Sequence, residues 1–198
     1  MTPQQQALGI IRAEHRTLTA VIDAFEHVTR EMAEGKLSPD FKLLWSIIYY
    51  IEEFPERLHH PKEDSALFPK VRARSHDIDD TLDELQRQHV NSKPHLETLK
   101  SLLGRMEADI PGSLPLLADK VKTYAAFHWK HMSLEETVVL PKAAEVLNEQ
   151  DWADIAASFA ENKDPLMAGG PPQDEWFRQF YRRLVTLVPE PWGVGTRH

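Results

Sequence analysis

"HHPKEDSALFPK" (residues 59–70) recurs without gaps as "HMSLEETVVLPK" (residues 131–142). His59 falls on His131, Glu63 on Glu135, Pro69 on Pro141 and Lys70 on Lys142. A histidine and a glutamate four residues apart stack on one face of a helix, so both can reach the same ion or two adjacent ions. Each copy also has a histidine one segment upstream, His15 before the first and His89 before the second. Both stand in apolar seams. Leu8, Ile11, His15, Leu18, Ile22, Phe25 and Met32 follow steps of three and four, with only Thr29 breaking the run. The third segment repeats the pattern with Ile78, Leu82, Leu85, His89, Ser92, Leu96, Leu99, Leu103 and Met106. In the fourth, Leu114, Leu117, Val121, Tyr124, His128, His131, Glu135 and Val138 carry three consecutive ionisable seam positions.

The second segment starts as an apolar run over residues 41–51 and enters the first copy of the repeat, where Pro55 and Pro61 are expected to kink or interrupt it. Loops are marked by "EGKLSPD" and "DIPGS". The pattern predicts an all-α fold: an antiparallel up-down four-helix bundle over residues 1–148, followed by a helical extension over 149–198. Two similar hairpins packed about a pseudo-twofold axis would bring four histidines and two glutamates to the middle of the bundle. Buried ions cost several kcal/mol each even after relaxation, so such a cluster needs partners or a metal. A single His-x-x-x-Glu pair is a weak signal, since roughly one or two are expected by chance in a chain of this composition. His27 and Glu31 make the contrast: they lie off the seam, lack a counterpart and read as a solvated pair. Duplication with matched upstream histidines is what makes the metal reading specific.

Composition narrows the chemistry further. The chain has 198 residues, 41% of them hydrophobic, a net charge of −8 and no cysteine. Without cysteine there is no disulfide, thiolate zinc site or iron–sulfur cluster, so any metal is held by nitrogen and oxygen. Acidic balance and the absence of a basic run argue against nucleic-acid binding. With no leader-like start and no apolar stretch of spanning length, a cytoplasmic protein is expected, with no membrane partner.

"RAEH", "HHPKEDSALFP", "LQRQH" and "HMSLEETVVLP" together resemble the hemerythrin-like, or HHE cation-binding, domain family over roughly residues 5–148. The resemblance implies a four-helix bundle enclosing a non-haem di-iron centre, with His15, His59, Glu63, His89, His131 and Glu135 as ligands and the two glutamates as bridges. The family usually has a seventh ligand, and His60 is the candidate here. His128 reads as hydrogen-bonding a ligand, and Tyr124 as a core tyrosine. Imidazole and carboxylate suit two iron ions, with zinc or manganese also compatible. This chain departs from the oxygen-carrying hemerythrins, which place HxxxH and HxxxxD where it has His89 alone and His131 with Glu135. That difference weakens the oxygen-carrier reading.

The resemblance implies a small gas, dioxygen or nitric oxide, or iron itself, as what is bound or sensed. The competing class is a di-iron enzyme for peroxide or nitric oxide reduction or for iron–sulfur cluster repair. No nucleophile, phosphate loop or substrate-sized polar constellation is visible in the sequence, which favours binding or sensing. In the extension, "DEWFRQFYRRLVTLV" places Trp176, Phe177, Phe180, Tyr181, Leu184 and Val188 on one helix face, expected to pack on the bundle or to form a homodimer contact.

Overall fold

The computed structural model describes residues 1–164, 166, 179, 180, 184 and 186. Helix α1 (Pro3–Ala33) opens with a capping box between Thr2 and Gln5 and ends in a Schellman turn. There Gly35, at φ 75°, lets Gly35 and Lys36 donate back to the carbonyls of Met32 and Glu31. Helix α2 (Phe41–Glu53) is capped by the Asp40 carboxylate on the Leu43 amide at 3.1 Å. The chain continues through α3 (His60–Lys62) and α4 (Phe68–Arg74) as one bent rod. Helix α5 (Asp79–Glu107) is the third rod, and α6 (Ser113–Leu134) with α7 (Leu140–Val146) makes the fourth. Helix α1 lies against α6, and α5 against α2 and α6. Among the described residues there is no strand, and no helix is long and apolar enough to cross a membrane.

The prolines do not stop the rods; they widen them. Single π-helical turns occupy Pro55–His59, Glu63–Leu67 and Glu135–Val139. The closing bonds run from His60 N to the Pro55 carbonyl, Phe68 N to Glu63 and Leu140 N to Glu135, and Pro61, Pro69 or Pro141 comes next in each case. A proline has no N–H for the carbonyl four residues back and its ring crowds that carbonyl, so the preceding amide reaches one residue further. Each such turn inserts a residue and rotates the rest of the rod. This overturns one seam position: Val139 is fully buried and Val138 only partly, because the π turn shifts the register after Glu135.

Two apolar clusters fill the bundle. One holds Ile22, Phe25, Leu44, Ile48, Leu99 and Val121; the other holds Ile11, Phe68, Leu82, Leu85, Val139 and Phe159. On each of the four rods the polar seam residues fall between the stretches that feed these clusters, so the ionisable layer is sealed from both ends by hydrocarbon. Thr29, also fully buried, satisfies its hydroxyl on the Phe25 carbonyl at 2.8 Å. Glu31 corrects the sequence reading. It is 5% exposed, paired with Arg30 and Lys36 at 3.5 Å each, because the Schellman turn folds Lys36 back over it.

Beyond the fourth rod, α8 (Glu149–Ala160) starts with an Asn148–Asp151 capping box and lies along α1. Its buried face is Trp152, Ile155, Ala156 and Phe159. Of the aromatic face expected further on, Phe180 and Leu184 are buried in the first cluster, while Trp176, Phe177, Tyr181 and Val188 lie outside the described residues.

Asp164 gives the extension a pH signature. Tyr50 donates its hydroxyl to Asp164 at 3.0 Å, and burial pushes the Asp164 carboxyl from 3.8 up to about 6. Between those values the folded chain holds a proton that the unfolded chain has lost, so stability falls as pH rises from 4 to 6, by about 2 to 3 kcal/mol. Asp164→Asn should remove this loss. Its unfolding free energy in urea, relative to the parent, is expected to climb by that amount between pH 4 and 7, and parallel pH profiles would refute the assignment.

Candidate metal centre

Four rods bring their seam residues to one point. His15 arrives from α1, His59, His60 and Glu63 from the second rod, His89 from α5, and His131 and Glu135 from the fourth. All seven are buried, Glu63 and Glu135 to 0% and 1%. Two groups have ligand-type atoms within 4.8 Å of one another: His60, Glu63, His89 and His131, and His15, His59, Glu63 and Glu135. All seven expected ligands are therefore brought together, and Glu63 stands in both groups.

The carboxylates divide their oxygens between the groups. Glu63 Oε1 lies 3.3 Å from His59 Nε2 and 3.9 Å from His15 Nε2, while Oε2 lies 3.4 Å from His89 Nε2. Glu135 Oε2 is 3.4 Å from His15 Nε2, and Oε1 is 3.0 Å from His131 Nε2. None of these four buried oxygens has a satisfactory hydrogen-bond partner among the described residues. In a dry interior that is costly unless a cation supplies the missing charge.

An outer ring fixes the imidazoles. His59 Nδ1 meets Glu14 at 2.7 Å, His15 Nδ1 meets Glu136 at 2.9 Å, His89 Nδ1 meets Asp64 at 3.0 Å and His131 Nδ1 meets Gln88 at 3.0 Å. With the Nδ1 proton donated outward, Nε2 of each neutral ring presents a lone pair to the centre. These lone pairs face each other, His15 to His59 at 3.1 Å and His89 to His131 at 3.3 Å. Such pairs repel unless a cation lies between them. Two donors held at about 2.1 Å and at right angles on one ion would be about 3 Å apart, so the spacing fits.

Seam spacing alone does not reveal the ring, although its signal is in the sequence. Glu14 precedes His15 as Gln88 precedes His89, and Asp64 follows Glu63 as Glu136 follows Glu135, so the outer partners duplicate with the inner residues. Glu63 and Glu135 offset half the charge of two divalent ions, and the three outer carboxylates Glu14, Asp64 and Glu136 exceed the remaining two charges by one.

Electrostatics in the metal-free chain arise from the same contacts. Burial pulls the His59 imidazole down, but Glu63 and Glu14 outweigh it and hold it well above its ordinary value. Burial likewise opposes protonation of His89, and Asp64 and Glu63 overcome it, raising it to about 10. Glu63 is raised by burial and lowered more by His59 and His89, ending well below the usual carboxylate range. Protons thus stand in for cations.

The two halves are not equal. His60 sits at the repeat position of Met132, and its Nδ1 points toward Glu56 Oε1 at 3.7 Å. Burial and the neighbouring imidazoles of His89 and His131 keep His60 neutral, well below its ordinary value. His128 departs from expectation. It belongs to neither group, and both its ring nitrogens are buried without a hydrogen-bond partner among the described residues. Its ring is wedged at 4.4 Å against Tyr124, edge to face, which turns it away from hydrogen bonding to His131. Tyr124 itself is fully buried in the core, as expected.

Helix α8 closes one side of the site. Phe159 packs edge-on to His59 at 5.7 Å, and Asn162 donates to Glu14 at 3.3 Å. The other side, between α1 and α6, opens into a cavity of about 520 Å³ that reaches His15.

The sequence model of one protein family, described as the Hemerythrin HHE cation binding domain, matches residues 6–143. No curated protein and no solved structure matches the chain.

Proposed function

Because the chain belongs to the hemerythrin HHE cation-binding domain family, we propose that it is a cytoplasmic protein that holds two non-haem iron ions and takes up or senses dioxygen or nitric oxide. The observation that carries this reading is the division of the Glu63 and Glu135 oxygens between two facing histidine pairs, with no other partner for those oxygens among the described residues. On this reading Glu63 and Glu135 bridge, His15 and His59 hold one ion, and His60, His89 and His131 hold the other. A bound iron pair would supply a redox-active centre able to take up a small gas.

The chain's own residues set the conditions for that uptake. Glu14, Glu136, Asp64 and Gln88 fix the tautomer and orientation of four rings. Phe68 and Phe159 shield the site with hydrocarbon, which favours an apolar gas over water. Met132, where the other half has His60, leaves the His15–His59 group one donor short on the side of the α1–α6 cavity. The donor set also accommodates zinc or manganese.

The deciding measurement is the optical spectrum of iron-loaded, anaerobically reduced protein while dioxygen is added and then removed. Bands that appear with dioxygen and vanish on its removal are expected. Irreversible conversion to an oxo-bridged ferric spectrum would refute reversible uptake and favour small-molecule redox chemistry, the reading to which the size of the cavity also lends weight.

A further inference from the structure

The cavity between α1 and α6 is far larger than a diatomic gas requires. At about 520 Å³ it falls within the range of about 300–1,000 Å³ typical of small-molecule sites. Its walls come from Arg12, Arg16 and Thr19 on α1 and from Trp129, Met132 and Ser133 on α6, with His15 and Glu136 at its inner side. The indole of Trp129 is held by a hydrogen bond to Asp23 and is 46% exposed, so it presents a fixed aromatic wall.

The charge at the mouth is specific. Arg12 and Arg16 stand one helical turn apart, so their guanidinium groups share a face. Arg12 uses Nε on Glu136 at 3.2 Å, whereas Arg16 makes no hydrogen bond or ion pair among the described residues. Two guanidinium groups against one lining carboxylate leave an excess positive charge beside an apolar wall. A guanidinium fork matches a carboxylate, and the wall suits a hydrocarbon body.

We propose that this cleft binds an organic monocarboxylate, with the carboxylate on Arg16 and Arg12 and a medium-chain acyl or aryl body along Trp129 and Met132. Binding itself does not require metal. Its consequence for the centre rests on the metal reading above: Glu136 joins Arg12 to His15 Nδ1, so a carboxylate that draws Arg12 away changes what holds a proposed ligand.

The test is calorimetric titration of the metal-free full-length chain with octanoate, with octanol as the uncharged control. Octanoate is expected to bind at a single site with a submillimolar Kd, at least tenfold tighter than octanol. Arg16→Ala should weaken octanoate at least tenfold, and Ser133→Trp, which fills the cleft from an exposed position, should abolish it. Both variants should keep the parental far-ultraviolet circular dichroism. No octanoate binding, equal affinity for octanol, or parental affinity in either variant would overturn the proposal. Metal stoichiometry measured on the same variants tests the other reading separately, since neither Arg16 nor Ser133 touches the ligand groups.

Discussion

Glu63→Ala/Glu135→Ala is expected to abolish dinuclear loading, lowering metal content from two ions per chain to one or none while leaving the helical circular dichroism intact. The expectation comes from how the oxygens are shared. Each carboxylate sends one oxygen to the His15–His59 side and the other to the His89–His131 side. Removing both leaves only imidazoles, and two divalent ions would then face one another with no anion between them. Each single variant should impair both positions but less than the double variant does, because the remaining carboxylate still reaches both sides, Glu63 through His59 and His89 and Glu135 through His15 and His131. Metal analysis of dialysed protein decides it, and two ions retained by the double variant would remove the carboxylates from the bridging role.

Metal removal should produce the largest change in stability. An ion that binds only the folded chain stabilises it by about 4 kcal/mol when its free concentration is about a thousand times its Kd. For a chain of this length that corresponds to roughly 8–16 °C in unfolding temperature. The gain should also depend on pH. His59 and His89 are held protonated above their ordinary range, so both protons must leave before Nε2 can donate to a metal. Metal affinity therefore falls as pH falls, and uptake releases protons. Thermal unfolding with and without chelator at pH 6 and pH 8 should show the larger difference at pH 8. Identical unfolding temperatures with and without chelator would mean that the imidazole and carboxylate layer is not completed by metal.

These expectations draw on different levels of the molecule. The seam spacing in α1, α5 and α6 is legible because a packed helix repeats its buried face every three or four residues, and His15, His89 and His131 stand in that repeat. The duplicated His-x-x-x-Glu pairs locate the centre because the same local spacing appears twice, each time with a seam histidine one segment upstream, and the absence of cysteine leaves only nitrogen and oxygen ligands. Periodicity misplaces the seam beyond Glu135 by one residue, since it assumes uniform winding, whereas a π turn depends on how a proline's clash is relieved. It misplaces Glu31 for a similar reason: the burial of that carboxylate arises from a turn that begins only after the helix ends.

Spacing along one chain is thus enough to set the helical seams as far as the π turns, the pairing of the two hairpins and six of the inward residues, while His60 is reached only through the family resemblance. Three-dimensional packing had to supply the rest: how the four carboxylate oxygens divide, that Glu14, Asp64, Gln88 and Glu136 each hold an imidazole contributed by another rod, and that Arg12 and Arg16 share a cleft with Trp129 and Met132. Hydrogen bonds, lone-pair repulsion and cavity shape depend on distances between atoms far apart in the chain. Helical periodicity fixes which face a residue occupies, but not what it meets there.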